Sequence, residues 1–274
     1  MADKTPDRPA AGTGPSAAPP ECRLCGGQTA LRRAYGVQFA ECADCGFVFR
    51  VAYNQVEQSA GMGMRGGVGG GHREYWLARM LHDRLGLQCF LLFGTGNSPT
   101  LGTLREEGLD VIGCDISQEL VAARKDAYGD DAFYTPDELP AERQFDGIIA
   151  VEVIEHFAEP RVSMGKIMLH LSPQGVFCGT TDFYLDGAIE EPCNYMKPWT
   201  HVAYWSTRSM AYAARLYSRA SSFFKMLNPG IMPSLVSGKR WMNKRVFFLY
   251  DRAAHGEFFR RLEEEQPTLP IVRP

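Results

Sequence analysis

No stretch of the 274 residues strings together 18 apolar side chains, so the chain holds no segment suited to spanning a bilayer as a helix. Its start also lacks the basic-then-apolar order of a secretory leader, and a soluble, cytoplasmic protein is expected. An excess of one charge is missing as well: 29 Lys and Arg face 32 Asp and Glu, a formal net charge of -3. That balance gives no global basic field, which argues against bulk binding to nucleic acid or an anionic membrane. Residues 1–20 have no apolar periodicity to repay the entropy of ordering, and are expected to form a disordered tail. The length allows one α/β core with a small extra module and excludes two large domains.

Cysteine is sparse outside one place. Cys22, Cys25, Cys42 and Cys45 form two C-x2-C pairs sixteen residues apart, each followed by glycine, Gly26 and Gly46. Four thiolates in two such knuckles suit tetrahedral Zn2+, with disulfides or iron as the alternatives. Without a leader the compartment should be reducing, which favours zinc. A set of four leaves no open coordination position, so the ion is expected to fold this segment rather than to catalyse. Ala34 to Ala40 and Phe47 to Val51 have the content of short strands, completing a small four-cysteine zinc ribbon. Its Arg and acidic residues balance, so a structural lid or homodimer contact is expected ahead of nucleic-acid recognition. A glycine-dense linker or flap follows, Gly61 to Gly71, and then an amphipathic helix with Trp76, Leu77, Met80, Leu81 and Leu85 at helical spacing.

The segment Phe90 to Asp115, FLLFGTGNSPTLGTLREEGLDVIGCD, reads as strand, glycine turn, helix, strand and terminal acid. Phe90 to Phe93 is an apolar run fit for a strand buried on both faces, and Gly94 and Gly96 let the backbone turn beside a ligand. Ser98 is expected as N-cap, Pro99 at the first helical position and Gly108 at the C-terminal cap. Asp115 ends the second strand about 20 residues past the turn, where nucleotide-binding half-units place an acid for ribose hydroxyls. The dinucleotide fingerprint wants a third glycine where Pro99 stands, which argues against NAD or FAD.

Further along, Ser117 is expected to cap a helix ending at Gly129, and Phe145 to Val151 to be a buried parallel strand. Glu152, Glu155 and His156 follow within one turn, at the strand end that faces the ligand crevice in open α/β sheets. His156 is the first general-base candidate, since imidazole titrates near neutral pH. Met164, Ile167, Met168 and Leu171 predict a helix ending at an SPQG turn before the strand Val176 to Thr181. A long aromatic loop then runs from Asp182 to Tyr204, and Ser206 is expected to cap the helix after it. Phe223 to Leu227 and Val246 to Tyr250 are expected as the last two strands, joined by a long loop over 228–244.

Residues 75–250 resemble a class I S-adenosylmethionine (SAM) dependent methyltransferase. LLFGTGNS is similar to that family's first motif, and FDGIIAVEVIEHFAEP, Phe145 to Pro160, to its fourth, as found in small-molecule methyltransferases of the ubiquinone-biosynthesis type. Leu92 stands where the first motif usually has an acid that helps hold the amino-acid moiety of SAM, and Ser98 where it has its last glycine. The resemblance implies a Rossmann-like α/β fold, a seven-stranded mostly parallel sheet with helices on both faces and an antiparallel final strand. It also implies SAM held by Gly94, Thr95, Gly96, Asp115 and Ile116, with Asp137 or Glu138 offered to the adenine. Glu152, Glu155 and His156 would handle substrate and hold a second, divalent metal, with Glu152 and His156 catalytic and His201 a second base candidate.

The expected division is then a tail over 1–20, the ribbon over 21–55, a linker over 56–72, the methyltransferase domain over 73–252 and a C-terminal helix and tail over 253–274. The expected reaction moves a methyl group from SAM to oxygen or nitrogen, less readily carbon, of a small-molecule acceptor. The alternatives are an RNA or protein methyltransferase that uses the ribbon for recognition, and a non-catalytic SAM-binding protein.

Overall fold

The computed structural model describes residues 18–53, 71–184, 194–196, 200–227, 242–265 and 268–270. Most of the expected tail and linker and residues 228–241 of the expected loop lie outside them, while the last three residues of that loop, Met242 to Lys244, are strand. The large sheet is built from β4 (Cys89–Phe93), β5 (Asp110–Cys114), β6 (Phe133–Tyr134), β7 (Phe145–Val151), β8 (Leu171–Tyr184), β10 (Ala220–Leu227) and β11 (Met242–Tyr250). Across the sheet these run β10-β11-β8-β7-β4-β5-β6, the β11 pairings antiparallel and the others parallel. An eighth strand that sequence reading missed, β12 (Thr268–Pro270), extends the edge by pairing parallel to β10. The central strands are apolar without alternation because both their faces are covered. On one face α1 (Gly71–Leu85) lays Leu77, Ala78 and Leu81 into a core shared with Phe90, Leu92 and the buried Phe259 and Leu262 of α6 (Arg252–Glu265).

Two helix boundaries are corrected, and the last two strands start earlier than expected, at Ala220 and Met242. Leu171 belongs to β8 and not to the preceding helix, α4 (Pro160–Leu169): it pairs with Phe145, and the SPQG segment is a register shift inside the strand before Val176 pairs with Gly147. The helix after the glycine turn, α2 (Thr100–Glu106), starts one residue later than expected, with Pro99 at its cap position. Ser98 still accepts the Thr100 N–H at 3.2 Å. The helix α3 (Gln118–Tyr128) carries its expected cap, the Ser117 hydroxyl accepting from the Leu120 N–H.

The ribbon is three strands, not two. Ala34 to Ala40 is a hairpin corner: β1 (Thr29–Ala34) turns through Tyr35–Gly36 into β2 (Val37–Cys42), and β3 (Val48–Arg50) follows. β1 escaped notice because its adjacent exposed arginines, Arg32 and Arg33, interrupt the apolar alternation and leave it little apolar content. Part of the long aromatic loop is likewise a strand: β9 (Ala203–Tyr204) pairs antiparallel with β3, so the outer edge of the ribbon is closed by the same chain. The junction is buried and aromatic. Trp205 is fully buried with its ring edge-on to Phe47 at 5.0 Å, and Phe39 meets Tyr204 edge-on at 5.6 Å. Ser206, capping α5 (Thr207–Leu216) through a reciprocal box with Ser209, also donates its hydroxyl to Gly46 O at 3.1 Å. Arg208 donates to Ala43 O and Asp44 O, tying the second knuckle to the same helix.

Candidate active site and zinc ribbon

The four cysteine sulfurs lie within 4.8 Å of one another, with Cys22 and Cys45 Sγ 3.6 Å apart and Cys25 and Cys42 Sγ 3.4 Å apart. Those separations are far too long for disulfides and close to the sulfur–sulfur edges of a tetrahedron with metal–sulfur bonds of about 2.3 Å. Gly26 and Gly46 adopt φ of +78° and +70°, the left-handed turn a knuckle needs, and the Gly27 N–H points at Cys25 Sγ at 3.4 Å. Burial pushes the Cys25 thiol up to about 11, and contact with Cys22 pushes Cys45 up further. Crowded thiols of this kind ionise together only around a cation, and the set fits zinc.

At the carboxyl end of β4 the chain turns through Gly94-Thr95-Gly96. Gly94 has φ +70°, and a Cβ there would stand 2.6 Å from Val153 Cγ2, so no other residue fits. The turn is fastened to the next strand: the Gly94 N–H donates to Cys114 O at 2.7 Å and the Gly96 N–H to Asp115 Oδ2 at 3.1 Å. The other Asp115 oxygen accepts the Ser117 N–H at 3.0 Å, and burial raises this carboxyl above its ordinary range. Arg124 donates to Gly96 O and Ser98 O, at 3.3 and 3.2 Å. Ile116 leaves 46% of its surface exposed beside this acid. Asp137, also offered to the cofactor, is a surface residue ion-paired to Lys166 at 2.6 Å.

A second cluster stands after β7. Glu152 takes a left-handed φ of +56°, uncommon for a residue with a side chain, and Arg73 and Thr180 hold its Oε1 at 3.0 and 2.7 Å. The next turn, Ile154–His156, buries Glu155, whose Oε2 accepts the Thr181 hydroxyl at 3.2 Å. His156 Nδ1 is 2.8 Å from Thr200 O and His201 Nδ1 is 2.7 Å from Tyr195 O. A carbonyl only accepts, so each Nδ1 carries the proton, which leaves Nε2 as the nitrogen that can hold a lone pair. Burial lowers the His156 pKa below 6.5. Candidate ligand atoms of Glu155, His156 and His201 all lie within 4.8 Å of one another. The metal-capable trio therefore differs from the expected one, with His201 in the place given to Glu152, whose carboxylate is turned to Arg73.

Sequence reading passed over Arg73, Glu74, Thr180 and Thr181. Glu74 had a signal: it falls on the stripe of α1 shared by Leu77, Ala78 and Leu81, where a carboxyl is out of place.

A strand order with one antiparallel member near the edge, a glycine turn tied to an acid one strand over and polar groups at the strand ends define a nucleotide-type methyltransferase fold. The sequence profile of the methyltransferase-domain family matches residues 73–217, more than half the chain, and the chain belongs to that family. It is a SAM-dependent methyltransferase. No curated protein matches the chain. Among solved structures it is similar to a complex between the Haloferax volcanii Trm112 methyltransferase activator and a methyltransferase, at 19% identity, covering 71% of this chain and 97% of that one with a TM-score of 0.52. It is similar to the YcgJ protein of Bacillus subtilis at 15% identity, covering 66% and 98% with a TM-score of 0.50. A Burkholderia thailandensis 1,6-didemethyltoxoflavin-N1-methyltransferase aligns at 17% identity over 81% and 98%, with a TM-score of 0.47.

Proposed function

We propose that the chain methylates an oxygen or nitrogen of a small-molecule acceptor, with His156 as the base. The observation that carries this reading is the His156 ring, held by Thr200 O with Nε2 basic, two residues past the Ile154 backbone and three past the Val153 that packs on the glycine turn. SAM would lie across that turn, its ribose hydroxyls on Asp115, its adenine against Ile116 and toward Asp137. The acceptor lone pair attacks the methyl carbon, the carbon–sulfur bond breaks, and its electron pair returns to sulfur to give S-adenosylhomocysteine. The acceptor's proton goes to His156 Nε2. The sulfonium already activates the methyl group, so alignment and one base suffice.

The buried Glu155 with His156 and His201 favours a second reading of the same site. One carboxylate and two imidazoles suit a divalent transition metal, and both Nδ1–H groups bonded to carbonyls give the outer support such ligands need. A metal there would acidify an acceptor hydroxyl. Glu152 is then a positioning residue, which with Arg73 and Thr180 fixes the bend that presents Glu155 and His156.

The experiment is transfer of labelled methyl from SAM to pooled phenols, catechols and amines, before and after chelator treatment that spares the ribbon zinc. His156→Asn should cut turnover by about 100-fold or more at pH 7.5. Label transferred equally well by that variant contradicts the base, and transfer only to RNA or protein contradicts the acceptor class.

A further inference from the structure

We propose that Glu74 of α1 supplies the negative charge that anchors the ammonium at the amino-acid end of the cofactor, replacing the acid that Leu92 leaves out of β4. The proposal rests on the SAM reading above. Leu92 is fully buried and faces the α1 residues Leu77, Ala78 and Leu81, so β4 sends only hydrocarbon to that side of the turn. One helical turn earlier on the same stripe comes Glu74, 2% exposed, which puts a carboxyl directly under Thr95. Its Oε2 accepts the Thr95 hydroxyl at 3.1 Å, and the Ser98 hydroxyl is its other close neighbour.

Burying a carboxyl is costly unless it is paired, and this one forms no ion pair among the described residues. The two cations that act on it through space are hydrogen-bonded elsewhere. Arg73 donates to Glu152 and Thr180, and Arg124 donates to the turn carbonyls of Gly96 and Ser98. A buried carboxyl set against the turn, with no ion pair among the described residues and with Arg73 and Arg124 bonded elsewhere, matches a ligand with an ammonium at that place. A plain strut for Thr95 would not need charge, since a glutamine amide accepts the same hydroxyl.

The charge requirement is tested with Glu74→Gln, whose folding is checked by its melting temperature. Calorimetric titration uses two ligands: S-adenosylhomocysteine, and 5′-methylthioadenosine, which keeps the nucleoside and sulfur but lacks the amino-acid end. The variant should bind S-adenosylhomocysteine about tenfold or more weakly and 5′-methylthioadenosine as the wild type does, with Glu74→Asp recovering part of the loss. Unchanged S-adenosylhomocysteine affinity overturns the proposal. So does an equal loss for both ligands, which would make Glu74 a strut for the turn. Wild-type protein that binds neither ligand overturns the SAM reading itself, and the proposal with it.

Discussion

His156 and His201, 45 positions apart, stand edge-on with ring centroids 4.9 Å apart, each with Nδ1 on a backbone carbonyl. The first comes from the turn after β7, the second from the segment that runs into β9 and so into the ribbon sheet. The Val202 N–H donates to Glu155 O at 2.9 Å, while Val202 O accepts the Arg50 N–H of the ribbon at 3.0 Å. The ribbon is thus hydrogen-bonded through Val202 to the turn and segment that carry the histidine pair.

Stripping the ribbon metal should therefore act on turnover before it acts on the cofactor. The glycine turn and Asp115 draw their fastening from β5, α1 and α3, with no ribbon hydrogen bond among the described residues. A thiol-selective chelator should lower the melting temperature and abolish methyl transfer, while S-adenosylhomocysteine affinity stays within about threefold. Cofactor affinity that falls in step with zinc content would show the two parts to be one site.

Gly94→Ala adds a methyl group 2.6 Å from Val153 Cγ2 at a backbone of φ +70°. The left-handed conformation alone costs about 1–2 kcal/mol, and the collision must push the turn off Val153. Cofactor affinity should drop by more than about tenfold. Val153→Ala in the same chain should restore part of the binding but not the stability, as thermal melts and titration would show.

Glu74 makes stability fall as pH rises. Burial lifts its pKa to about 7 from 4.5, against the opposing pull of Ser98, Thr95, Arg124 and Arg73. The folded state holds this proton more tightly, so its contribution is full below pH 4.5 and lost as pH climbs through 7, on the order of 3 kcal/mol at most. Glu74→Gln should match the wild type in urea unfolding at pH 4.5 and exceed it at pH 8. A gap that does not widen with pH would contradict the buried ionisation.

His156 works in the other direction. Burial lowers its folded pKa below 6.5, so the unfolded chain takes the proton first and stability drops as pH falls through 6.5, levelling once the folded ring also protonates. His156→Asn should flatten that part of the stability profile. The wild-type rate with a hydroxyl acceptor should hold to lower pH than a free imidazole would allow.

Local chemistry made much of this legible. Apolar runs named β4, β5 and β7, glycines named the turn and the knuckles, and Ser117 and Ser206 named two helix starts. What escaped depended on partners far along the chain. β9 is two residues long and is a strand only because β3 lies beside it, and β1 hides behind two consecutive exposed arginines, one on each face of the strand. The Glu155, His156 and His201 trio needed the ribbon to bring its third member home. Glu74 was visible on its helical stripe, but only the fold puts Thr95 over it.

The Gly94–Gly96 turn and Asp115 are proposed to form the cofactor site. Its most direct measurement is calorimetric titration of zinc-replete protein with S-adenosylhomocysteine, alongside Asp115→Ala. The expected result is one saturable site in the wild type, weakened by about tenfold or more in the variant. No binding to folded wild-type protein, or equal binding to both, would contradict it.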